Sequence, residues 1–218
     1  SVRIDKNEKK RGQLDFALWK TAKEGEPRWP SPWGEGRPGW HIECSAMSMK
    51  HLGETFDIHG GGRDLLFPHH ENEIAQSEAV TGKPFARTWV HHGLITVGSQ
   101  KMSKSFKNFI TRDQVMAEDP LYGDEVLKLT FLGTHYTAPL DYTAERVKMG
   151  RAVWKRFLEF FANARTAEKN GASVAEKRMG QIYGIFREAL DNDFNTPEVL
   201  AAMHVLMNDA YKRSDPVA

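Results

Sequence analysis

The chain has 218 residues, 40% of them hydrophobic, and its 30 basic and 29 acidic side chains leave a formal net charge of +1. That length suits one or two domains, and six Trp and twelve Phe supply bulky core material. No run of about 18 apolar residues occurs, which excludes a membrane-spanning helix. Cys44 is the single cysteine, which excludes a disulfide within the chain and fits a reducing, cytoplasmic compartment. The near-neutral balance does not announce nucleic-acid binding, so any basic patch is local.

Ser1 to Gly12 is charged and lacks apolar periodicity, so it reads as a linker or the end of something larger. The first thirty residues, charged and Pro-rich, do not read as a signal peptide. Leu14 to Trp19 is a short apolar segment. Gly25 to Gly39 mixes prolines and glycines with Trp29 and Trp33. Such a stretch cannot form regular helix or a central strand, and long loops of this kind are often functional. Gly39-Trp40 opens a helix-like run through Met49. Thr55 to His59 alternates as a strand does, and Gly60-Gly61-Gly62-Arg63-Asp64 follows as a loop. The spacing predicts a helix opening at Pro68, where a missing N–H costs nothing. Strand, loop and helix in that order make half of a βαβ unit, and ligands in such sheets sit at the carboxyl ends of strands.

Trp89 to Val97 reads as a second strand region, and Gly98-Ser99 turns the chain into Lys101-Met102-Ser103-Lys104-Ser105. From Thr111 the period is helical. Short helices are predicted over Gln114–Ala117 and Glu125–Leu132, and a long one over Thr143–Lys169 with a stripe of Val147, Val153, Trp154, Phe157 and Phe160. Two more cover Met179–Leu190 and Pro197–Lys212, the last with Thr196 as its cap and Pro197 in its first turn. The expected division is a linker at 1–12, an α/β region at 13–110, a connecting segment at 111–142 and a helical bundle at 143–218.

Three clusters could carry chemistry. A helix through Pro68-His69-His70-Glu71-Asn72-Glu73 puts His69 and Glu73 four apart on one face. With Cys44 they offer sulfur, nitrogen and oxygen, all legitimate zinc ligands, if the fold joins them. The alternatives are a buried Cys acting as a small hydrophobe and a His–Glu surface pair. His70 and Glu71 fall on other faces and read as solvated or supporting. The glycines let a ligand approach the backbone, and Asp64 could accept from ribose hydroxyls; the alternative is a tight turn with a capping aspartate. Lys101 and Lys104 could neutralise phosphate charge, or could be two solvated lysines.

Taken together these residues resemble the cysteinyl-tRNA synthetases, a family of class I aminoacyl-tRNA synthetases. Lys101-Met102-Ser103-Lys104-Ser105 matches the class I KMSKS signature as it stands. Gly39 to Met47, Asp57 to Gly62 and Phe67 to Glu73 match the cysteine family in particular, and Asp193 to Pro197 resembles the opening of a helix in its helical domain. The resemblance runs from about Gly12 onward. It implies the second half of a Rossmann-like nucleotide-binding fold followed by an all-α bundle.

The resemblance also implies roles. Cys44, His69 and Glu73 would be three of four ligands to one zinc ion per subunit. Trp40 would close the cysteine pocket. Gly62 and Asp64 would form part of the ATP ribose site. Lys104 would bind ATP phosphate with Lys101 assisting as the second catalytic lysine. Implied partners are L-cysteine, ATP with Mg2+ and tRNA(Cys), in a monomer without membrane contact.

The His-Ile-Gly-His signature and the fourth zinc ligand, a cysteine, are expected upstream of Ser1, so the chain alone is expected to be inactive. Phe106-Lys107 stands where the family has Leu-Gly. Two other functions fit less of the sequence: a related ligase handing cysteine to an amino-sugar in mycothiol biosynthesis, and a non-catalytic module binding tRNA or a partner. For the latter, Lys148, Arg151, Lys155, Arg156 and Arg165 on the long helix would face phosphates.

Overall fold

The computed structural model describes residues 10–170 and 176–214. The residues divide into two compact units, one ending at His92 and one beginning at Gly93. Most of the segment expected to be a linker, residues 1–9, lies outside the described residues.

The first unit opens with a two-stranded antiparallel ribbon, β1 (Trp19–Thr21) and β2 (Gly36–Pro38). Its connecting loop holds Trp29 and Trp33, 52% and 81% exposed. Gly36 and Gly39 are glycine for steric reasons. A Cβ at Gly39 would lie 2.1 Å from the Ala17 carbonyl oxygen, and one at Gly36 would lie 2.5 Å from that of Lys20. That close approach seats the start of α1 (Trp40–Leu52) against the ribbon, with the Gly39 N–H donating to the Leu18 carbonyl at 2.7 Å.

A parallel βαβ unit follows: β3 (Phe56–Gly62), α2 (Glu71–Thr81) and β4 (Ala86–His92). All three glycines expected in a loop lie inside β3, where Gly60, Gly61 and Gly62 pair with Val90, His91 and His92. Parallel ladder hydrogen bonds hold them extended. The helix also differs from its predicted start. A wide π-type turn spans Leu66–His70, with the His70 N–H donating to the Leu65 carbonyl at 2.9 Å, and α2 proper begins at Glu71. Phe67 has φ −133° and ψ 134°, because the residue before a proline is driven out of the helical region. His69 and Glu73 still share a face.

In the second unit, β5 (Ile95–Val97) pairs with β6 (Gln100–Lys101) and with β7 (Leu140–Asp141). Gly98 and Ser99 close the β5–β6 hairpin with φ of 58° and 64°, the two left-handed residues that a two-residue hairpin turn needs. The helices are α3 (Arg112–Glu118), α4 (Gly123–Leu132), α5 (Ala144–Lys169), α6 (Glu176–Asp191) and α7 (Thr196–Ser214). The buried residues Val115, Val126, Leu140, Phe157, Ala189 and Met207 come from six of these elements. Thr111 caps α3 in a reciprocal capping box with Gln114, and Thr143 caps α5. The cap of α7 is Asn195 rather than Thr196: its side-chain carbonyl accepts from the Glu198 N–H at 3.3 Å. The Thr196 hydroxyl instead donates to the Leu132 carbonyl at 2.9 Å, tying the α6–α7 turn to the end of α4.

The packing of α4 on α5 rests on Gly150, where a Cβ would sit 2.7 Å from the Thr130 hydroxyl and 2.9 Å from the Val126 carbonyl oxygen. Nothing lies within 4 Å of a Cβ at Gly180 on α6. Two alanine substitutions therefore act in opposite directions. Gly150→Ala overpacks the contact and costs about 1–3 kcal/mol, whereas Gly180→Ala stabilises by about 1 kcal/mol through helix propensity. Chemical denaturation of both variants checks the signs.

Candidate metal and nucleotide sites

Cys44, His69 and Glu73 converge: their ligand atoms all lie within 4.8 Å of one another. Cys44 comes from the first turns of α1, His69 from the turn before α2, and Glu73 from the first turn of α2. A buried hydrogen bond joins the two helices, with the Ser45 hydroxyl donating to Gln76 Oε1 at 2.9 Å. Trp40, one helical turn before Cys44, stacks on the His69 ring with centroids 4.3 Å apart. His41 Nδ1 lies 2.7 Å from His69 Nδ1, so a proton is shared between those two atoms. With His69 as the donor, its Nε2 carries a free lone pair, the usual arrangement of a metal-ligating imidazole and its supporting partner.

Glu73 is fully buried, yet neither carboxylate oxygen has a hydrogen-bond partner of good geometry. Oε1 lies 3.8 Å from His69 Nε2, and Oε2 lies 3.1 Å from His59 Nε2. Burial raises the Glu73 pKa to about 7, against a smaller opposing effect of the Cys44 thiol. Burial, then the Glu73 and Glu43 charges, pushes the Cys44 thiol up. Burial pulls His41, His59 and His69 down, and pulls His70 to about 4. By itself the pocket thus disfavours every charged form. A bound divalent cation would reverse this for the thiol and the carboxylate. A buried carboxylate beside a thiol and a free imidazole nitrogen is a donor set that zinc fits.

Three histidines carry more of this site than sequence reasoning gave them. His59 sits on β3 opposite Trp89 on β4, their rings stacked at 4.4 Å. His91 is two residues beyond Trp89 and therefore on the same face. His70, expected to be solvated or supporting, is 3% exposed, with Nδ1 2.8 Å from His91 Nε2. Period-two placement of His59 and Gly61 on one strand and of Trp89 and His91 on its partner was the signal available in the sequence. Glu71 is exposed.

Gly62, at the C-terminal end of β3, is buried and pairs with His92. The Arg63 N–H donates to the His92 carbonyl at 2.9 Å, and the Leu65 N–H closes a turn onto the Gly62 carbonyl at 2.9 Å. Exposed Asp64 lies in that turn, at the carboxyl end of a parallel strand. Lys101 and Lys104 belong to the second unit and are exposed. Asp141 anchors their hairpin, accepting from the Thr96 hydroxyl at 2.7 Å and from the Ser99 N–H at 3.0 Å, which lowers its pKa. Asn108 clamps the loop: its Oδ1 accepts from the Ser103 N–H at 2.9 Å and its Nδ2 donates to the Lys101 carbonyl at 3.2 Å. Lys107 has φ 53°, the left-handed region that favours glycine. The loop exit thus keeps a backbone suited to the glycine the related family carries there.

The fold is shared with class I synthetases. A LeuRS from Agrobacterium radiobacter K84, solved in a ternary complex with tRNA and LeuAMS, matches with a TM-score of 0.64 at 14% identity, over 86% of this chain and 29% of that one. The family model for the tRNA synthetases class I (C) catalytic domain matches residues 1–152, and the chain belongs to that family. A DALR domain model matches residues 185–215. Among curated relatives, the cysteine–tRNA ligase of Geobacter sulfurreducens is 54% identical over 207 residues, 91% of this chain and 42% of that protein. That of Aquifex aeolicus is 49% identical over 221 residues, 97% of this chain and 44% of that protein. The chain spans less than half the length of these relatives.

The Glu73 shift sets a pH dependence. In the metal-free fold its pKa is about 7 against an ordinary 4.5, so the fold binds more protons than the unfolded chain between those values. Its contribution therefore falls as pH rises through that window, by on the order of 3 kcal/mol. The lowered histidine pKa values act oppositely, costing stability as pH falls below about 6.5. Comparison with Glu73→Gln isolates the first effect. Metal-free Glu73→Gln should melt above metal-free wild type at pH 8 and together with it at pH 4, and added zinc should raise only the wild-type midpoint. At the lysine loop, Lys107→Val should speed amide exchange at Ser103 and Lys107 by about tenfold, and Lys107→Gly should not. Hydrogen exchange read by NMR checks both.

Proposed function

We propose that the chain is part of an enzyme that activates L-cysteine with ATP and transfers it to tRNA(Cys). The observation that supports this best is the convergence of Cys44 and His69 on the buried Glu73 carboxylate, in a chain of the class I (C) family. The stretch 13–110 is read as the second half of the nucleotide-binding domain, 111–142 as a connecting segment and 143–218 as part of the helical domain.

Cys44, His69 and Glu73 would hold zinc, which when bound lowers the pKa of a coordinated substrate thiol and favours sulfur over the harder serine hydroxyl. Trp40 would wall the amino-acid pocket. Gly62 would let a ribose approach the backbone while Asp64 accepts its hydroxyl hydrogen bonds. The substrate carboxylate then attacks the α-phosphate, the bond to pyrophosphate breaks, and Lys104 with Lys101 offsets the charge gathering on the phosphoryl oxygens. Magnesium would travel with the nucleotide. In the second step a terminal ribose hydroxyl of tRNA attacks the adenylate carbonyl and AMP leaves. No side-chain nucleophile is used. A site built to bind one substrate heteroatom rejects an analogue lacking it by far more than an apolar pocket can, so no separate editing site is called for.

Cysteine-dependent ATP–pyrophosphate exchange, followed by tRNA charging, tests this in the protein that carries the chain. Lys104→Ala should lower kcat of exchange by about 100-fold with KM for cysteine little changed. Cys44→Ser should raise KM for cysteine and narrow discrimination against serine by about 100-fold. No exchange with zinc present and cysteine saturating would sink the proposal.

A further inference from the structure

We propose that Lys107 is a third cation of the lysine loop and binds the β- and γ-phosphates of the nucleotide beside Lys101 and Lys104. Its role rests on the reading of that loop as the ATP-phosphate site. From Gly98 to Thr111 the chain carries three lysines, Lys101, Lys104 and Lys107, and no acidic residue. All three lysines are exposed. Lys104 and Lys107 are the two ends of one turn, in which the Lys107 N–H donates to the Lys104 carbonyl at 3.2 Å. The ends of such a turn lie within about 7 Å of one another, so two ammonium groups on flexible stems can engage neighbouring phosphates of one polyphosphate. Among the described residues, neither the Lys104 nor the Lys107 ammonium forms an ion pair.

The backbone supplies an independent observation. Lys107 has φ 53°, a conformation open to glycine and strained for a residue with a Cβ. Glycine, which the related family carries here, would hold the same turn without strain. Hydrogen bonds within the loop keep the conformation in place. Asn108 Oδ1 accepts from the Ser103 N–H at 2.9 Å, and Asn108 Nδ2 donates to the Lys101 carbonyl at 3.2 Å. The Ser103 hydroxyl oxygen accepts from the Phe106 N–H at 3.3 Å. From residue 107 the turn uses only the backbone N–H, so nothing inside the loop calls for a lysine side chain. A strained residue whose side chain does not build its own loop points to a role for that side chain outside it. An exposed ammonium at the end of a loop free of acids is complementary to a multiply charged anion. Lys104 is read above at the phosphoryl group that reacts. A cation at the other end of the same turn falls to the phosphates that leave, and so holds ATP before the reaction and pyrophosphate after it.

Equilibrium binding of Mg2+–ATP and of inorganic pyrophosphate to the protein that carries the chain, measured by calorimetry without cysteine, tests the proposal. Lys107→Gly and Lys107→Asn both accept a left-handed backbone. Each should weaken both ligands about tenfold, the loss expected for one charge-assisted hydrogen bond. Lys107→Arg keeps the charge and should recover most of the affinity. The glycine variant separates charge from fold: it relieves the strain, so a purely structural role for residue 107 predicts affinity equal to or better than wild type. Wild-type affinity for both ligands in Lys107→Gly, with binding lost in Lys104→Ala, would overturn the proposal and leave the ATP-phosphate reading intact. Unchanged affinity in both variants would overturn it together with that reading. Tenfold weaker binding in Lys107→Gly, in a protein without cysteine-dependent exchange, would uphold it and remove the proposed activity instead.

Discussion

The Glu73 carboxylate lies entirely out of water, with only the Cys44 thiol and the His59 ring nitrogen, 3.1 Å from Oε2, to offset its charge. Burying an ionised carboxylate without compensation is among the costliest arrangements a fold can contain. In the first unit, the elements that meet at this residue explain one another through that constraint. α1 brings a thiol and two aromatic rings, the turn before α2 brings two imidazoles, and β3 brings a third. Burial lowers the pKa of each of these imidazoles and so favours the neutral ring. Stability and the proposed metal role pull in opposite directions here. The metal-free pocket favours a protonated carboxylic acid, while a metal ligand must be ionised.

The surroundings show how such a site is kept in shape without charge. Trp40 on His69 and Trp89 on His59 fix ring planes by stacking, and His41 and His91 each meet one ring nitrogen of His69 and His70 at hydrogen-bond distance. Ser45 and Gln76 bridge the helices that carry Cys44 and Glu73. Glycines take the places where side chains would block approach: Gly39 under the start of α1, and Gly61 under the His70 ring. In the second unit the same economy holds the lysine loop. Asp141 and Asn108 anchor it through directed hydrogen bonds, and Lys107 takes a left-handed turn despite its side chain.

The sequence by itself determined the helices and turns, because hydrophobic period and caps are local properties. The long helix from Thr143 and the turn at Gly98-Ser99 follow from such patterns. The single strand region expected over Trp89–Val97 is instead broken after His92 into β4 and β5, which pair in different sheets. The sequence also carried the family, through motifs whose residues must stand together for their chemistry, and it nominated Cys44, His69 and Glu73 as a set. Tertiary structure decided what depends on neighbours remote in the chain. The glycines after His59 were drawn into a strand by pairing with β4, and α2 starts at Glu71 because the turn around Pro68 is too wide to be its first turn. His70 is buried rather than solvated because Gly61, nine residues earlier, leaves a space the size of a ring. Spacing along a helix cannot reveal that space, since it is made by a different strand. The convergence of Cys44 with a carboxylate 29 positions downstream has the same origin: it depends on how two helices pack, which no local propensity encodes.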